Sequence, residues 1–148
     1  MSYAAYSDTM DRVRASATEA DKLDSKVILI VDDFPEVRGT YEYVFKRAGW
    51  LVLAVEDGAQ AMTVIGDREL DAIILDIFMP DMDGIEVLLQ ARAKLQNTAI
   101  ISVSGSSLGR PDMLNAALKF GADAAVLKST PVAELVRIVD ACVAARQS

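Results

Sequence analysis

The residues best suited to chemistry in this chain directly follow short apolar runs. They are three carboxylates, one hydroxyl and one amine, at positions Asp32, Asp33, Asp76, Ser104 and Lys128. If the apolar runs are strands of one parallel sheet, their carboxyl ends meet at one rim, which is where open sheets bind ligands. Three carboxylates at one rim would raise each other's pKa unless a cation joined them. Mg²⁺, a hard cation that prefers oxygen ligands, suits such a cluster.

Lys128 and Ser104 extend this chemistry from metal binding to phosphoryl capture. During phosphoryl transfer, charge spreads over three equatorial oxygens, and a metal and a lysine can neutralise it. A carboxylate that attacks the phosphorus forms an acyl phosphate. A single Asp after a strand is more often a helix cap or a turn residue. Polar groups after four strands are much harder to obtain by chance, so the pattern predicts a phosphoryl-accepting site.

The elements that would position these residues alternate between strands and helices. Short apolar runs predict five strands, at Val27–Val31, Leu51–Val55, Ala72–Leu75, Ala99–Val103 and Ala124–Leu127. Amphipathic stretches predict five helices, at Glu36–Ala48, Gly58–Ile65, Ile85–Lys94, Met113–Phe120 and Ala133–Ala145. Strands that are apolar almost throughout indicate a parallel sheet buried on both faces. We therefore predict a doubly wound α/β domain with a five-stranded parallel sheet and helices on both faces.

Residues 1–25 differ from the rest of the chain and predict an N-terminal extension that is helical or flexible. A heptad-like seam recurs at spacings of three and four, formed by Tyr3, Tyr6, Met10, Val13, Ala17 and Ala20. The seam could pack on its own domain or belong to a frayed tail. It is also the best sequence candidate for a contact with a partner or with a second copy in a homodimer.

Composition excludes several classes of function. The 148 residues, 52% of them hydrophobic, suit one globular domain, and the net charge of −7 argues against binding nucleic acid or an anionic membrane. No run is long enough to span a bilayer. The chain has no histidine, which excludes His-based metal sites and Ser-His or Cys-His nucleophile pairs. The single cysteine, Cys142, cannot form an internal disulfide, so we expect a cytoplasmic protein.

The most specific motif is the segment Leu75–Gly84, which reads LDIFMPDMDG. In order and spacing it resembles the phosphoacceptor loop of receiver domains from two-component response regulators. The acidic pair Asp32-Asp33, Ser104, Lys128 and the Gly121–Asp123 turn resemble other motifs of that family. The resemblance covers about residues 26–145. It implies a flavodoxin-like receiver domain over residues 26–146.

This resemblance also implies a role for each site residue. Asp76 would be phosphorylated, Asp33 would bind Mg²⁺ directly, and Asp32 would orient the metal mainly through water. The backbone carbonyl of Phe78 would supply another metal ligand. Ser104 and Lys128 would bind the phosphoryl oxygens and transmit their presence to the surface beyond.

Four positions depart from the family pattern. Ser129 follows Lys128 where a proline is usual, so the loop that carries the lysine is expected to take an unusual path. Ala125 replaces the usual aromatic residue of the fifth strand, which puts the usual coupling from hydroxyl to aromatic ring in doubt. The stretch 105–111 is long and glycine-rich, either an insertion or a mobile signalling loop. Phe78 would hinder the water that hydrolyses an acyl phosphate, so we expect slow autodephosphorylation.

Together these features predict a single-domain response regulator, which accepts a phosphoryl group on Asp76 from a sensor histidine kinase or a phosphotransfer protein. No output domain is expected after the last helix, so signalling would pass to a downstream partner protein. The alternative is a degenerate receiver that acts as an interaction module without phosphorylation. An enzyme is not expected, because haloacid-dehalogenase phosphatases need a second Asp two residues after the first, where this chain has Phe78.

Overall fold

The computed structural model describes residues 25–79, 84–105 and 111–147, and the side chains of 111–113 are excluded from the description. Five strands are present in this part of the chain: β1 (Val27–Val31), β2 (Leu51–Val55), β3 (Ala72–Asp76), β4 (Ala99–Ser104) and β5 (Ala124–Leu127). Five helices alternate with them: α1 (Pro35–Arg47), α2 (Gly58–Asp67), α3 (Gly84–Lys94), α4 (Pro111–Lys119) and α5 (Val132–Gln147).

All strand pairs are parallel, and the strands lie in the order β2-β1-β3-β4-β5. The order reverses beside β1, so the carboxyl ends of β1 and β3 flank the crevice where such sheets bind ligands. The five-stranded parallel sheet with helices on both faces confirms the predicted fold class. The predicted extension over residues 1–25 and its seam lie almost wholly outside the described residues, which begin at residue 25.

Alternation along the strands separates two apolar clusters, one on each face of the sheet. Ile28 and Ile30 pack with side chains of α1 and α5, whereas Leu29 and Val31 pack with side chains of α2, α3 and α4. Every residue of β1 is therefore buried. A strand that is apolar at each position is stable only where both faces are covered, which accounts for the continuous hydrophobic runs in the sequence.

Helix boundaries follow local chemistry. Pro35 opens α1, where a missing backbone N–H costs nothing. Gly49 follows the end of α1 with a φ of 96°, a conformation in which a side chain would be strained. Before α2, the Asp57 carboxylate accepts the Gln60 N–H at 2.8 Å and the Gln60 side chain accepts the Glu56 N–H at 2.9 Å. The first bond satisfies an N–H that the helix leaves unpaired, and the second ties the residue before the N-cap to the first turn of α2.

A charged network ties the elements together at the amino-terminal rim, opposite the predicted site. The guanidinium of Arg92 binds Asp123 Oδ2 at 2.8 Å and donates to the Gly121 carbonyl at 2.9 Å. Asp123 Oδ2 also accepts the Ile100 N–H, and its Oδ1 pairs with Arg146 at 2.8 Å. Asp123 therefore links α3, β4 and α5 through its side chain, at the rim opposite the site.

None of the helices in the described ranges combines the length and the apolar character needed to cross a membrane.

Candidate functional site

The carboxyl ends of β1 and β3 bring the predicted carboxylates together. Val31 and Leu75 are partners in the register of the two strands, so Asp32 and Asp76, the next residues, lie side by side. They are 1% and 2% exposed, respectively. One oxygen of each, together with one oxygen of Asp33, lies within 4.8 Å of the others. This is the cluster that the strand ends predicted.

Lys128 reaches the same cluster from the far side of β4. Its Nζ atom lies 3.1 Å from Asp32 Oδ2 and 3.2 Å from Asp76 Oδ2. The Lys128 backbone N–H donates to the Ser104 carbonyl at 2.7 Å, which extends the β4–β5 ladder by one bond and places the lysine at the rim. One ammonium group thus contacts two carboxylates that come from different strands.

Backbone donors stabilise both buried carboxylates. Asp32 Oδ1 accepts the Phe34 N–H at 2.9 Å, and Asp76 Oδ1 accepts the Phe78 N–H at 3.0 Å. The guanidinium of Arg38, one turn into α1, donates to the Asp32 carbonyl at 2.8 Å. These bonds hold the carboxylates in fixed orientations and leave other lone pairs available to a ligand.

Burial dominates the electrostatics of the site. Desolvation raises the pKa of Asp76 to about 6, although the Phe78 N–H and Lys128 oppose that rise. Burial alone would lower the pKa of Lys128, but the carboxylates of Asp76 and Asp32 outweigh it and raise that pKa. Burial and the Asp32 charge raise the pKa of Tyr41, a residue of α1. The raised pKa of Asp76 therefore reflects burial rather than a lack of nearby positive charge.

Ser104 ends β4 and is buried, two residues after Ser102 on the same face of the strand. A methyl group added at Gly105 would meet only the Lys128 side chain, at 3.7 Å, within the described part of the chain. Gly105 therefore adds no side chain of its own beside Lys128.

Gly84 allows α3 to begin against the end of β3. A Cβ atom at this position would lie 2.5 Å from the Cα atom and the carbonyl oxygen of Ile77, and 2.6 Å from the Asp76 carbonyl oxygen. The Gly84 N–H also donates to the Ile77 carbonyl at 3.1 Å. Only a glycine permits this approach to the residue that follows Asp76.

Ala125 and Ser129, two of the departures from the family pattern, lie on β5 and just after it. Ala125 in β5 pairs with Ser102 in β4, whose hydroxyl is buried and has no hydrogen-bond partner within the described ranges. After Lys128, the Thr130 N–H donates to the Leu127 carbonyl at 3.0 Å and forms a tight turn. The peptide bonds of the described residues are all trans. Residues 106–110 of the long connection lie outside the description.

Phe34 is a site residue that the sequence analysis did not single out. Its ring centroid lies 5.8 Å from Lys128 Nζ, within the range of a cation–π contact. Arg38 and Tyr41 were also missed as neighbours of Asp32. The position of Phe34 directly after the acidic pair was the available signal, whereas the other two read as ordinary residues of an amphipathic helix.

The family model of the response regulator receiver domain matches residues 28–140. The transcriptional regulatory protein PrrA of Mycobacterium tuberculosis is 35% identical over 121 residues, which cover 82% of this chain and 51% of PrrA. The chain therefore spans about half the length of that relative. The sporulation initiation phosphotransferase F of Bacillus subtilis is 32% identical over 95 residues, covering 64% of this chain and 75% of that protein.

Solved structures show the same fold. The response regulator TrrA of Thermotoga maritima, in complex with Mg²⁺-BeF, is 32% identical with a TM-score of 0.70, covering 79% of this chain and 98% of TrrA. A CheY-like receiver domain protein of Methanospirillum hungatei has a TM-score of 0.77 at 23% identity, covering 84% of this chain and 98% of its own. At that identity the second likeness concerns the fold alone.

Proposed function

Since this chain belongs to the family of response regulator receiver domains, we propose that it accepts a phosphoryl group on Asp76 and thereby acts as a switch in two-component signalling. Members of the family are phosphoacceptor switches rather than classical enzymes. The observation that carries the proposal is the 3.2 Å contact between Asp76 Oδ2 and Lys128 Nζ, beside oxygens of Asp32 and Asp33. A nucleophile, a cation for the phosphoryl oxygens and a set of metal ligands are thus adjacent.

In this proposal Asp76 is the nucleophile. Its Oδ1 atom is held by the Phe78 N–H, which orients the carboxylate before the donor arrives. Lys128 is freed from Asp76 when the phosphoryl group arrives, and it binds one of the phosphoryl oxygens. Ser104, at the end of β4, binds another through its hydroxyl. Rigid strand ends supply all three groups, so little reorganisation is needed at the moment of transfer.

The site fits a Mg²⁺ ion because three carboxylates face one ammonium in a largely buried position. We propose that the carboxylates of Asp32, Asp33 and Asp76 and the backbone carbonyl of Phe78 hold the ion. Oxygen ligands of this kind are those that Mg²⁺ prefers. A bound ion would neutralise charge on the transferring phosphoryl group. TrrA, whose structure contains Mg²⁺-BeF, supports the choice of metal.

We further propose a sensor histidine kinase or a phosphotransfer protein as the phosphodonor. A downstream partner protein would receive the signal, and residues 1–25 offer a contact for it or for a second copy of the chain. The receiver domain would comprise residues 26–146. A cytoplasmic location is in keeping with the lone cysteine, Cys142, which is free.

The test is the intact mass of the protein after incubation with acetyl phosphate, with and without Mg²⁺. We expect one added phosphoryl group on the wild type, only when Mg²⁺ is present. Asp76→Ala should gain none, whereas Asp140→Ala, which removes an exposed carboxylate on α5, should behave like the wild type. A folded wild type that gains no mass with Mg²⁺ would contradict the proposal and support the degenerate receiver, an interaction module that is not phosphorylated.

A further inference from the structure

The same turn occurs twice at the rim of the site, on neighbouring strands. After β1, Asp32 Oδ1 accepts the N–H of the residue two positions further on, and after β3, Asp76 Oδ1 does the same. The residue two positions further on is a phenylalanine in both cases, Phe34 and Phe78. Because Asp32 and Asp76 are neighbours across the sheet, the two phenylalanines leave the sheet from equivalent positions.

Both rings are exposed beside a buried charged cluster. Phe34 is 61% exposed and Phe78 is 39% exposed, whereas Asp32 and Asp76 are almost wholly buried. The ring of Phe34 lies 5.8 Å from Lys128 Nζ, and that same atom lies 3.2 Å from the Asp76 carboxylate. The two rings, which we term the aromatic rim, therefore stand on the solvent side of the reacting groups.

The geometry of phosphoryl transfer places the leaving group on that same side. The attacking and leaving atoms lie roughly in line through the phosphorus, so a buried nucleophile sends the leaving group outward. With a phosphohistidine donor, the P–N bond breaks and its electron pair goes to the ring nitrogen. A P–O bond forms to an Asp76 oxygen, and the ring takes one proton from solvent to leave as neutral imidazole. The imidazole ring of the donor therefore leaves on the side of the site where Phe34 and Phe78 lie.

We propose that Phe34 and Phe78 contact the imidazole ring of the donor histidine, and so favour donors with an aromatic leaving group over small donors without one. This inference rests on the proposed phosphorylation of Asp76. Offset or edge-to-face contact with a ring is the preferred packing of a phenyl group. Lys128 already lies near one face of the Phe34 ring. We therefore expect the imidazole ring of the donor to contact the edge of Phe34, or the ring of Phe78.

The test compares two phosphodonors that share a P–N bond, N-phosphoimidazole and phosphoramidate, and differ in the ring. Phosphorylation rates with Mg²⁺ would be measured for the wild type, Phe34→Ala, Phe78→Ala and the double variant. The readout is the ratio of the phosphoimidazole rate to the phosphoramidate rate. Each substitution should lower this ratio by about threefold or more, as expected for loss of an aromatic contact, and the double variant by more. Both substitutions keep the backbone carbonyl of residue 78.

Two controls separate a ring contact from other effects. Tyr43→Ala removes an equally exposed aromatic residue of α1, away from the strand ends, and should leave the ratio unchanged. Phe34→Leu and Phe78→Leu keep an apolar side chain without a ring, and should also lower the ratio. A ratio that stays constant in the alanine variants, or a wild-type ratio in the leucine variants, would overturn the inference. If neither donor phosphorylates the wild type, the proposed function fails and the inference fails with it.

Discussion

The ammonium group of Lys128 lies 3.2 Å from Asp76 Oδ2, although the two residues are 52 positions apart in the sequence. Despite this contact, desolvation keeps the pKa of Asp76 raised to about 6. Lys128 also pairs with Asp32, and its positive charge does not offset the desolvation of Asp76. The buried position of Asp76 therefore makes its ionised form less stable than that of a free carboxylate, although Asp76 still ionises near neutral pH.

This raised pKa predicts a pH-dependent effect of Asp76→Asn on stability in the absence of divalent cations. Below the ordinary value of 3.8, Asp76 is protonated in both the folded and the unfolded chain, so wild type and variant should differ little. As the pH rises from 3.8 to about 6, the wild type loses stability that the neutral Asn retains. Above that range the variant should be more stable by up to about 3 kcal/mol.

Chemical denaturation of both proteins across this pH range, with a chelator present, measures the difference. Adding Mg²⁺ at pH 8 should then stabilise the wild type more than the variant, because the variant lacks one of the proposed ligands. A difference in the free energy of unfolding that is constant over the whole range would show that Asp76 is ionised at its ordinary pKa.

Phe78 predicts a slow loss of the phosphoryl group from Asp76. Its exposed ring follows Asp76, the proposed phosphoacceptor, by two residues, and we expect it to hinder the approach of water. Phe78→Asn replaces the ring with a smaller, polar side chain, and should raise the dephosphorylation rate by about tenfold, or about 1.4 kcal/mol of barrier. The rate would be followed as phosphate release from the purified phosphoprotein. Leu89→Asn, at an exposed apolar position on α3, is the matched control.

An unchanged rate in Phe78→Asn would argue that water reaches the acyl phosphate by another path. A rate that rises equally in Leu89→Asn would indicate a general loss of rigidity instead. The backbone of residue 78, including the carbonyl proposed as a metal ligand, is the same in the variant, so metal binding should not change.

Two glycines predict opposite responses to the same substitution. Gly84→Ala would place a methyl group 2.5 Å from backbone atoms of Ile77, so the start of α3 or the end of β3 must shift. We expect a loss of about 2 kcal/mol or more in stability and slower phosphorylation of Asp76. Gly39→Ala adds its methyl group in the middle of α1, where the described residues place no atom outside the local helix backbone within 4 Å. This substitution should stabilise the protein by about 0.5–1 kcal/mol. Thermal unfolding would measure the stability of both variants. Equal effects of the two substitutions would contradict the prediction.

Strands and site carboxylates were predictable from sequence because both depend on local patterns. A run such as Val27–Val31 is apolar at each position only if both faces are buried, and a carboxylate after it must then lie at the rim. The observed β3 and β4 each extend one residue beyond the prediction, to Asp76 and Ser104. Both residues still pair with the neighbouring strand, Asp76 with Val103 and Ser104 with Leu127. The last helix likewise runs to Gln147 rather than Ala145.

Contacts that depend on three-dimensional neighbours were not predictable. The Phe34 ring meets Lys128 across 94 positions of sequence, and a single sequence contains no signal that links them. The doubled turn after β1 and β3 becomes visible only once the register pairs Val31 with Leu75. Nor could the sequence show which buried hydroxyls find a partner, because Ser102 and Thr98 both read as single polar residues within or beside the same apolar strand.

The hydroxyls of Ser102 and Thr98 predict opposite effects of their removal on stability. Thr98 donates to the Leu70 carbonyl at 2.6 Å, whereas the equally buried hydroxyl of Ser102 has no partner in the described ranges. Burying an unpaired hydroxyl costs free energy that removing it recovers, so Ser102→Ala should stabilise the protein by about 1 kcal/mol. Thr98→Val should destabilise it by about 1–3 kcal/mol, because it leaves the Leu70 carbonyl unpaired.

Chemical denaturation of both variants decides the matter, with the denaturant slopes compared to exclude changes in the unfolded state. If Ser102→Ala is destabilised as much as Thr98→Val, the Ser102 hydroxyl must have a partner after all, such as a buried water next to Ala125. The expected opposite signs would instead show that β4 holds a hydroxyl without a hydrogen-bond partner between Leu75 and Ala125. In that case Ser102 is retained at a cost in stability, two residues before the hydroxyl proposed to bind the phosphoryl group.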